Sequence, residues 1–169
     1  MAEVKNVKIS LKVKGSSLDN AVYRLSQLKI SYKHFTNYIT FNKVFTFIYF
    51  KSKDGVLNHI NVTKLKVKSD ISSAVNILKH LFQLTVVKIK VDNIIATYDT
   101  AKSIDLIKLI ENRAFKLTKY NPEQFPGLFV KYPQGTVIVF HSGKLVLVGF
   151  KVLKSLKSVL KEVCVTIMK

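Results

Sequence analysis

Hydrophobic and polar residues change rhythm several times along the chain, and each change marks an element. Val4–Val13, VKNVKISLKV, alternates apolar with polar and predicts a strand. SSLDNAVYRLSQLK follows with apolar Leu18, Val22, Leu25 and Leu28 at helical spacing and a serine N-cap at Ser16 or Ser17. Three strands joined by tight turns come next, at Thr36–Phe41, Val44–Lys51 and Val56–Val62, with a short further strand near Leu65–Val67. A second helix, SDISSAVNILKHLF, is capped by Ser69 or Asp70 and apolar at Ile71, Val75, Leu78 and Leu81. The order then starts again: a long strand over Val86–Thr97, a helix over Ala101–Asn112, strands at Gly127–Lys131, Gly135–His141 and Lys144–Lys151, and a last helix over Val152–Val163.

This recurrence predicts an internal duplication. Phe35 and Phe50 fall on Phe125 and Phe140 at a shift of 90 residues, and VKNVKISLKV resembles VDNIIATYDT, with Asn6 and Asn93 aligned 87 apart. The expected organisation is two α+β repeats, residues 1–84 and 85–169. A two-residue turn at Asn42 and Lys43 would set Phe35 directly opposite Phe50, and the same geometry would set Phe125 opposite Phe140. The face of the first ring pair would also hold Ile39, Phe41, Val44 and Ile48, and the reverse face Tyr38, Phe45, Phe47 and Tyr49. That sheet would be apolar on both sides. One helical layer covers one side, so the other has to meet a ligand, a partner or another layer, unless the rings are simply core.

Charge narrows the choice. With 28 Lys and Arg against 10 Asp and Glu the formal net charge is +18, which points to a polyanionic partner, nucleic acid before an anionic membrane; compositional bias toward lysine is the plainer explanation. Only Arg24 and Arg113 are arginine, which favours phosphate contact over bidentate reading of guanine in the major groove. The single Cys164 excludes an internal disulfide, the polar start has no secretory core, and no apolar run is long enough to span a bilayer. The four histidines show no metal-ligand spacing and the acidic residues form no catalytic pair, so no enzyme, metal or cofactor is expected. Apolar rings held beside positive charge are what a protein needs to wedge base steps apart from the minor groove.

The residues YNPEQFPGLFVKY (Tyr120–Tyr132), VIVFHSGKLVLVGFKV (Val137–Val152) and VDNII (Val91–Ile95) resemble the TATA-box-binding protein family in order and spacing, and the first half resembles it through VKNVKISLKV, Phe35 and Phe50. The resemblance implies an α+β saddle: two pseudo-symmetric repeats in one curved ten-stranded antiparallel sheet, helices on the convex face and the DNA minor groove on the concave face. It implies a transcription initiation factor that bends AT-rich promoter DNA, with the family's kink of about 80°, and nucleates a preinitiation complex. Carried over by match, Phe35, Phe50, Phe125 and Phe140 would intercalate, and Asn6 and Asn93 would donate to groove acceptors. Ile48, Ile138, Ile95 and Val146 would lie on the groove floor, and Lys131, Lys144 and Lys151 would meet phosphates. Glu123 would contact a general transcription factor of the TFIIB type. The protein would act as a monomer on double-stranded DNA, in the nucleus or at a site of viral transcription. Departures from the family pattern include Lys8 at an apolar groove position, Val148 in place of a threonine, and loss of a Ser-Gly-Lys turn before Asn58, His59 and Asn61. An accessory nucleic-acid or interaction module that does not bend duplex DNA is the alternative.

Overall fold

The computed structural model describes residues 2–52 and 56–168. Its elements run β1 (Glu3–Lys14), α1 (Leu18–Gln27), β2 (Tyr32–Phe35), β3 (Tyr38–Asn42), β4 (Thr46–Phe50), β5 (Asn58–Leu65), α2 (Lys68–Phe82), β6 (Thr85–Asp99), α3 (Leu106–Glu111), β7 (Thr118–Asn121), β8 (Phe125–Tyr132), β9 (Gly135–Phe140), β10 (Lys144–Phe150) and α4 (Leu153–Ile167). Among the described residues, ten strands and four helices make the expected α+β class. The chain divides into two compact units, one of Asn6–Asp92 and one of Met1–Lys5 with Asn93–Lys169. No helix among the described residues is long and apolar enough to cross a membrane.

In the first unit the strands lie in the order β2-β3-β4-β5-β1, all antiparallel. One face packs on the helices: Ile9, Leu11, Phe41, Phe47, Tyr49 and Val62 are fully buried or nearly so, in one cluster with Leu25, Ala74 and Leu78. Burial on that scale, about 25 cal/mol for each Å² of apolar surface, is what holds the layers together. In the second unit the order is β6-β10-β9-β8-β7. Its buried strand residues include Ala96, Leu128, Val139 and Leu147, and its helices contribute Leu106, Leu156, Val159 and Val163.

The duplication is close enough to be read in the registers. Val7 pairs with Leu65 and Ile9 with Val62, with a shift between them; Ile94 pairs with Phe150 and Ala96 with Leu147, with the same shift. Each unit therefore carries the same bulge, and its extra residue adopts a left-handed backbone, Lys64 at φ 69° and Gly149 at φ 82°.

Several expected elements differ. The β3–β4 connection is three residues, Lys43 to Phe45, so Tyr38 stands opposite Phe50 and Phe41 opposite Phe47. Moving the pairing by an odd number of residues exchanges faces. Hence Ile39, Phe41, Phe47 and Tyr49 share the core side, while Tyr38, Thr40, Thr46, Ile48 and Phe50 share the other, and the sheet is not apolar on both sides. Val44 is exposed in the turn. Helix α3 is shorter than Ala101–Asn112 because Ala101 takes a left-handed φ of 57° and Asp105 is the N-cap, accepting from the Lys108 N–H. Helix α2 starts earlier than its serine suggests: Val67 is the N-cap, and Asp70 reaches back to accept from the N–H groups of Lys66 and Val67. Ser17, not Ser16, caps α1, accepting from the Asn20 N–H. The hydrophobic pattern carries no sign of the edge strands β2 and β7.

Candidate functional site

The side of each sheet turned away from the helices carries the residues singled out from the sequence. In the second unit Phe125 begins β8 and Phe140 ends β9, with ring centroids 5.7 Å apart at 60°. They touch, but they are not directly opposed: Phe140 faces Gly127, and Phe125 pairs with Asn121. Gly127 is what lets the rings meet, since a Cβ there would lie 2.7 Å from Phe125 Cε1 and 3.1 Å from Phe140 Cε1. Phe129 completes the cluster, 5.1 Å from Phe125. Phe125 is 38% exposed and Phe140 half-buried.

In the first unit the rings are arranged otherwise. Phe35 lies before its hairpin turn, at the end of β2, whereas Phe125 lies after its turn. Tyr38 occupies the register position of Gly127, opposite Phe50. Its ring stacks on Phe35 at 4.5 Å and 15° and leans on Phe50 at 5.5 Å, so the expected pair is a row of three rings. His59 extends the row, 5.9 Å from Phe50. Phe35 is 42% exposed and Phe50 half-buried; none of the four phenylalanines is sealed in a core.

Asn6 and Asn93 sit at the two bulges and do the same thing. The Lys64 N–H donates to Asn6 Oδ1 at 2.8 Å, and the Gly149 N–H donates to Asn93 Oδ1 at 2.8 Å. A backbone N–H can only donate, so each amide must turn its oxygen inward and leave its NH₂ group as the outward donor. Both asparagines are half-buried. Sequence alignment of the halves singles out these two residues but carries no sign of the anchor, which depends on a bulge that only pairing reveals.

Ile48, Ile138, Ile95 and Val146 are half-buried on these same faces. Ile138 pairs with Val146 and Ile48 with Asn61. Lys131, Lys144 and Lys151 are exposed around the second sheet. Glu123 is exposed in the β7–β8 turn, where the Gln124 N–H donates to the Asn121 carbonyl. The faces thus offer rings, oriented amide donors, small apolar side chains and exposed positive charge. Tyr132, at the end of β8, has a buried hydroxyl near Glu162 that meets no partner at full hydrogen-bond geometry among the described residues; burial first, then the charge of Glu162 and the hydrogen bond to it, push its pKa up to about 12.

Comparison with known proteins places this geometry. The family described as "Transcription factor TFIID (or TATA-binding protein, TBP)" matches residues 88–169. The TATA-box-binding protein of Archaeoglobus fulgidus is 37% identical over 78 residues, 45% of this chain and 42% of that protein. That of Thermococcus sibiricus is 43% identical over 67 residues, 38% of this chain and 35% of that protein. The matched stretch thus spans about two fifths of these relatives' length. Among solved structures, the Methanococcus jannaschii TBP matches with a TM-score of 0.76 at 24% identity, over 99% of this chain and 98% of that one, a likeness of fold.

Proposed function

We propose that the chain, which is similar to the TATA-box-binding protein family by sequence over residues 88–169 and by fold along its length, is a member of that family and a transcription initiation factor that binds the minor groove of AT-rich promoter DNA and bends it. The observation that carries the reading is the pair of anchored asparagines. Asn6 and Asn93 present NH₂ donors of fixed orientation at matching points of the two repeats. The minor groove of A·T and T·A pairs offers only the acceptors N3 and O2, which is the complement of those donors.

Phe125 and Phe140 act as a wedge: two touching rings, partly exposed at a strand end, enter between base pairs and unstack them. Unstacking costs a few kcal/mol per step and is offset by the apolar contact of Ile95, Ile138 and Val146 with the groove floor. Lys131, Lys144 and Lys151 contact the phosphates on either side, and each contact adds to the salt dependence of binding. Glu123, in its exposed turn, contacts a general transcription factor of the TFIIB type, through which the DNA-bound protein nucleates a preinitiation complex.

A second reading, an accessory module that holds nucleic acid without bending it, is favoured by Tyr38, whose ring lies between Phe35 and Phe50, stacked flat on the first and tilted against the second. One experiment separates the two. Energy transfer between dyes at the ends of an AT-rich duplex rises on binding if the DNA bends; the double variant Phe125→Ala/Phe140→Ala abolishes that rise and keeps a salt-sensitive residual affinity. Binding of the unaltered protein with no rise in transfer overturns bending and leaves the second reading.

A further inference from the structure

We propose that the two repeats differ in what they accept in the groove: the second requires A·T pairs, and the first accepts G·C through Asn61 and its polar neighbours. This rests on the minor-groove reading above. The registers give a residue-by-residue correspondence between the sheet faces turned away from the helices. Ile48 and Ile138 are equivalent, each the central residue of its row. Opposite them on one side stand Thr40 in the first repeat and Phe129 in the second. Opposite them on the other side stand Asn61 and Val146. Two residues further on, Thr63 answers to Val148, since they face Thr46 and Thr136. At the bulge Lys8 answers to Ile95, between the equivalent pairs that flank it.

At four of these five positions an apolar side chain of the second repeat is a hydrogen-bonding one in the first. The difference is concentrated on the face away from the helices: the core faces are apolar apart from Asn58 and the Tyr49 hydroxyl of the first repeat, which both donate to the Ser16 carbonyl. Lysine-rich composition does not account for it either, since three of the four changes bring in threonine or asparagine. Asn61 is half-buried, and its Oδ1 lies 3.0 Å from Nε2 of exposed His59, which stands beside Phe50.

The chemistry follows from the one group that distinguishes base pairs in the minor groove. A G·C pair adds the guanine 2-amino donor to acceptors that otherwise resemble those of A·T. Against Phe129, Val146 and Val148 that amine loses its water and finds no acceptor, so the second repeat rejects it. Against Thr40, Asn61 and Thr63 it meets hydroxyl oxygens and an amide oxygen with a second lone pair, so the first repeat accommodates it. Such a difference also sets a direction along the DNA, because the strict half-site and the tolerant one are not interchangeable.

The test is selection of bound duplexes from a random library, followed by affinity measurements on single A·T to G·C replacements, for the unaltered protein, Asn61→Val and Val146→Asn. Both variants exchange residues found at equivalent strand positions of this chain, and circular dichroism checks their folding. The expected motif is asymmetric, one half strictly A·T and the other admitting G·C. Asn61→Val then penalises G·C in the tolerant half by about tenfold, the usual scale of one mismatched pair, and Val146→Asn relaxes the strict half. A motif of A·T pairs in both halves overturns this inference and leaves minor-groove binding standing. So does a tolerance for G·C that Asn61→Val leaves unchanged. If no duplex is enriched, the minor-groove reading falls and takes this inference with it.

Discussion

Replacing Asn93 by aspartate separates the two jobs of that side chain. In the structure Oδ1 accepts from the Gly149 N–H at 2.8 Å, and Nδ2 is the outward donor. A carboxylate in its place would retain the acceptor, and a charged acceptor makes that bond at least as strong, so the fold loses less than about 0.5 kcal/mol. Asn93→Ala loses the bond, about 0.5–1.5 kcal/mol, because the exposed Gly149 N–H can turn to water. Binding ranks the variants the other way. Alanine forfeits a donor and weakens DNA affinity about 5- to 30-fold, from a loss of about 1–2 kcal/mol. Aspartate sets a negative acceptor against groove acceptors and nearby phosphates, a loss of at least about 3 kcal/mol and more than about a hundredfold in Kd. Urea unfolding measures the first quantity and fluorescence anisotropy with an AT-rich duplex at fixed salt the second. An Asn93→Asp protein that is stable and binds within about threefold of the unaltered one would refute the reasoning.

Three further outcomes are expected. Gly127→Ala drives a methyl group against Phe125 and Ile138, each with an atom 2.7 Å from the added Cβ; it costs about 1–2 kcal/mol in urea unfolding and, by spreading the ring pair, lowers the energy-transfer change on DNA. Lys64→Gly relieves a lysine held at φ 69° and raises stability by about 0.5–1 kcal/mol while the Asn6 anchor persists. Tyr132 favours its neutral form in the fold, so its contribution is intact below the ordinary tyrosine pKa of about 10 and is lost as pH rises toward about 12. Tyr132→Phe removes that part of the alkaline decline in thermal unfolding and changes stability at pH 7 by less than about 1.5 kcal/mol, the scale of one hydrogen bond.

The duplication and the helices were legible because each rests on a local signal: the apolar spacing at Leu18 and Leu25, the recurrence of Phe50 as Phe140, the alignment of Asn6 with Asn93. What depended on pairing was not. Tyr32–Phe35 and Thr118–Asn121 are short edge strands, mostly exposed, whose polar residues have no reason to alternate. The β3–β4 turn has three residues where two were expected, and that change from even to odd put Phe47 and Tyr49 on the same face as Ile39 and Phe41. The fifteen-residue spacing shared by the phenylalanine pairs also concealed a difference, since Phe35 and Phe125 stand on opposite sides of their turns. Tyr38 and Gly127 became comparable only through their partners Phe50 and Phe140.

The most direct measurement of the central claim exchanges A·T for inosine·C pairs across a bound duplex. That exchange alters the major-groove edges and leaves the minor-groove donors and acceptors as they are in A·T. A protein that reads the minor groove through Asn6, Asn93 and the apolar floor of its second repeat binds both duplexes with the same affinity. A loss of affinity on the inosine duplex would place recognition in the major groove and contradict the account.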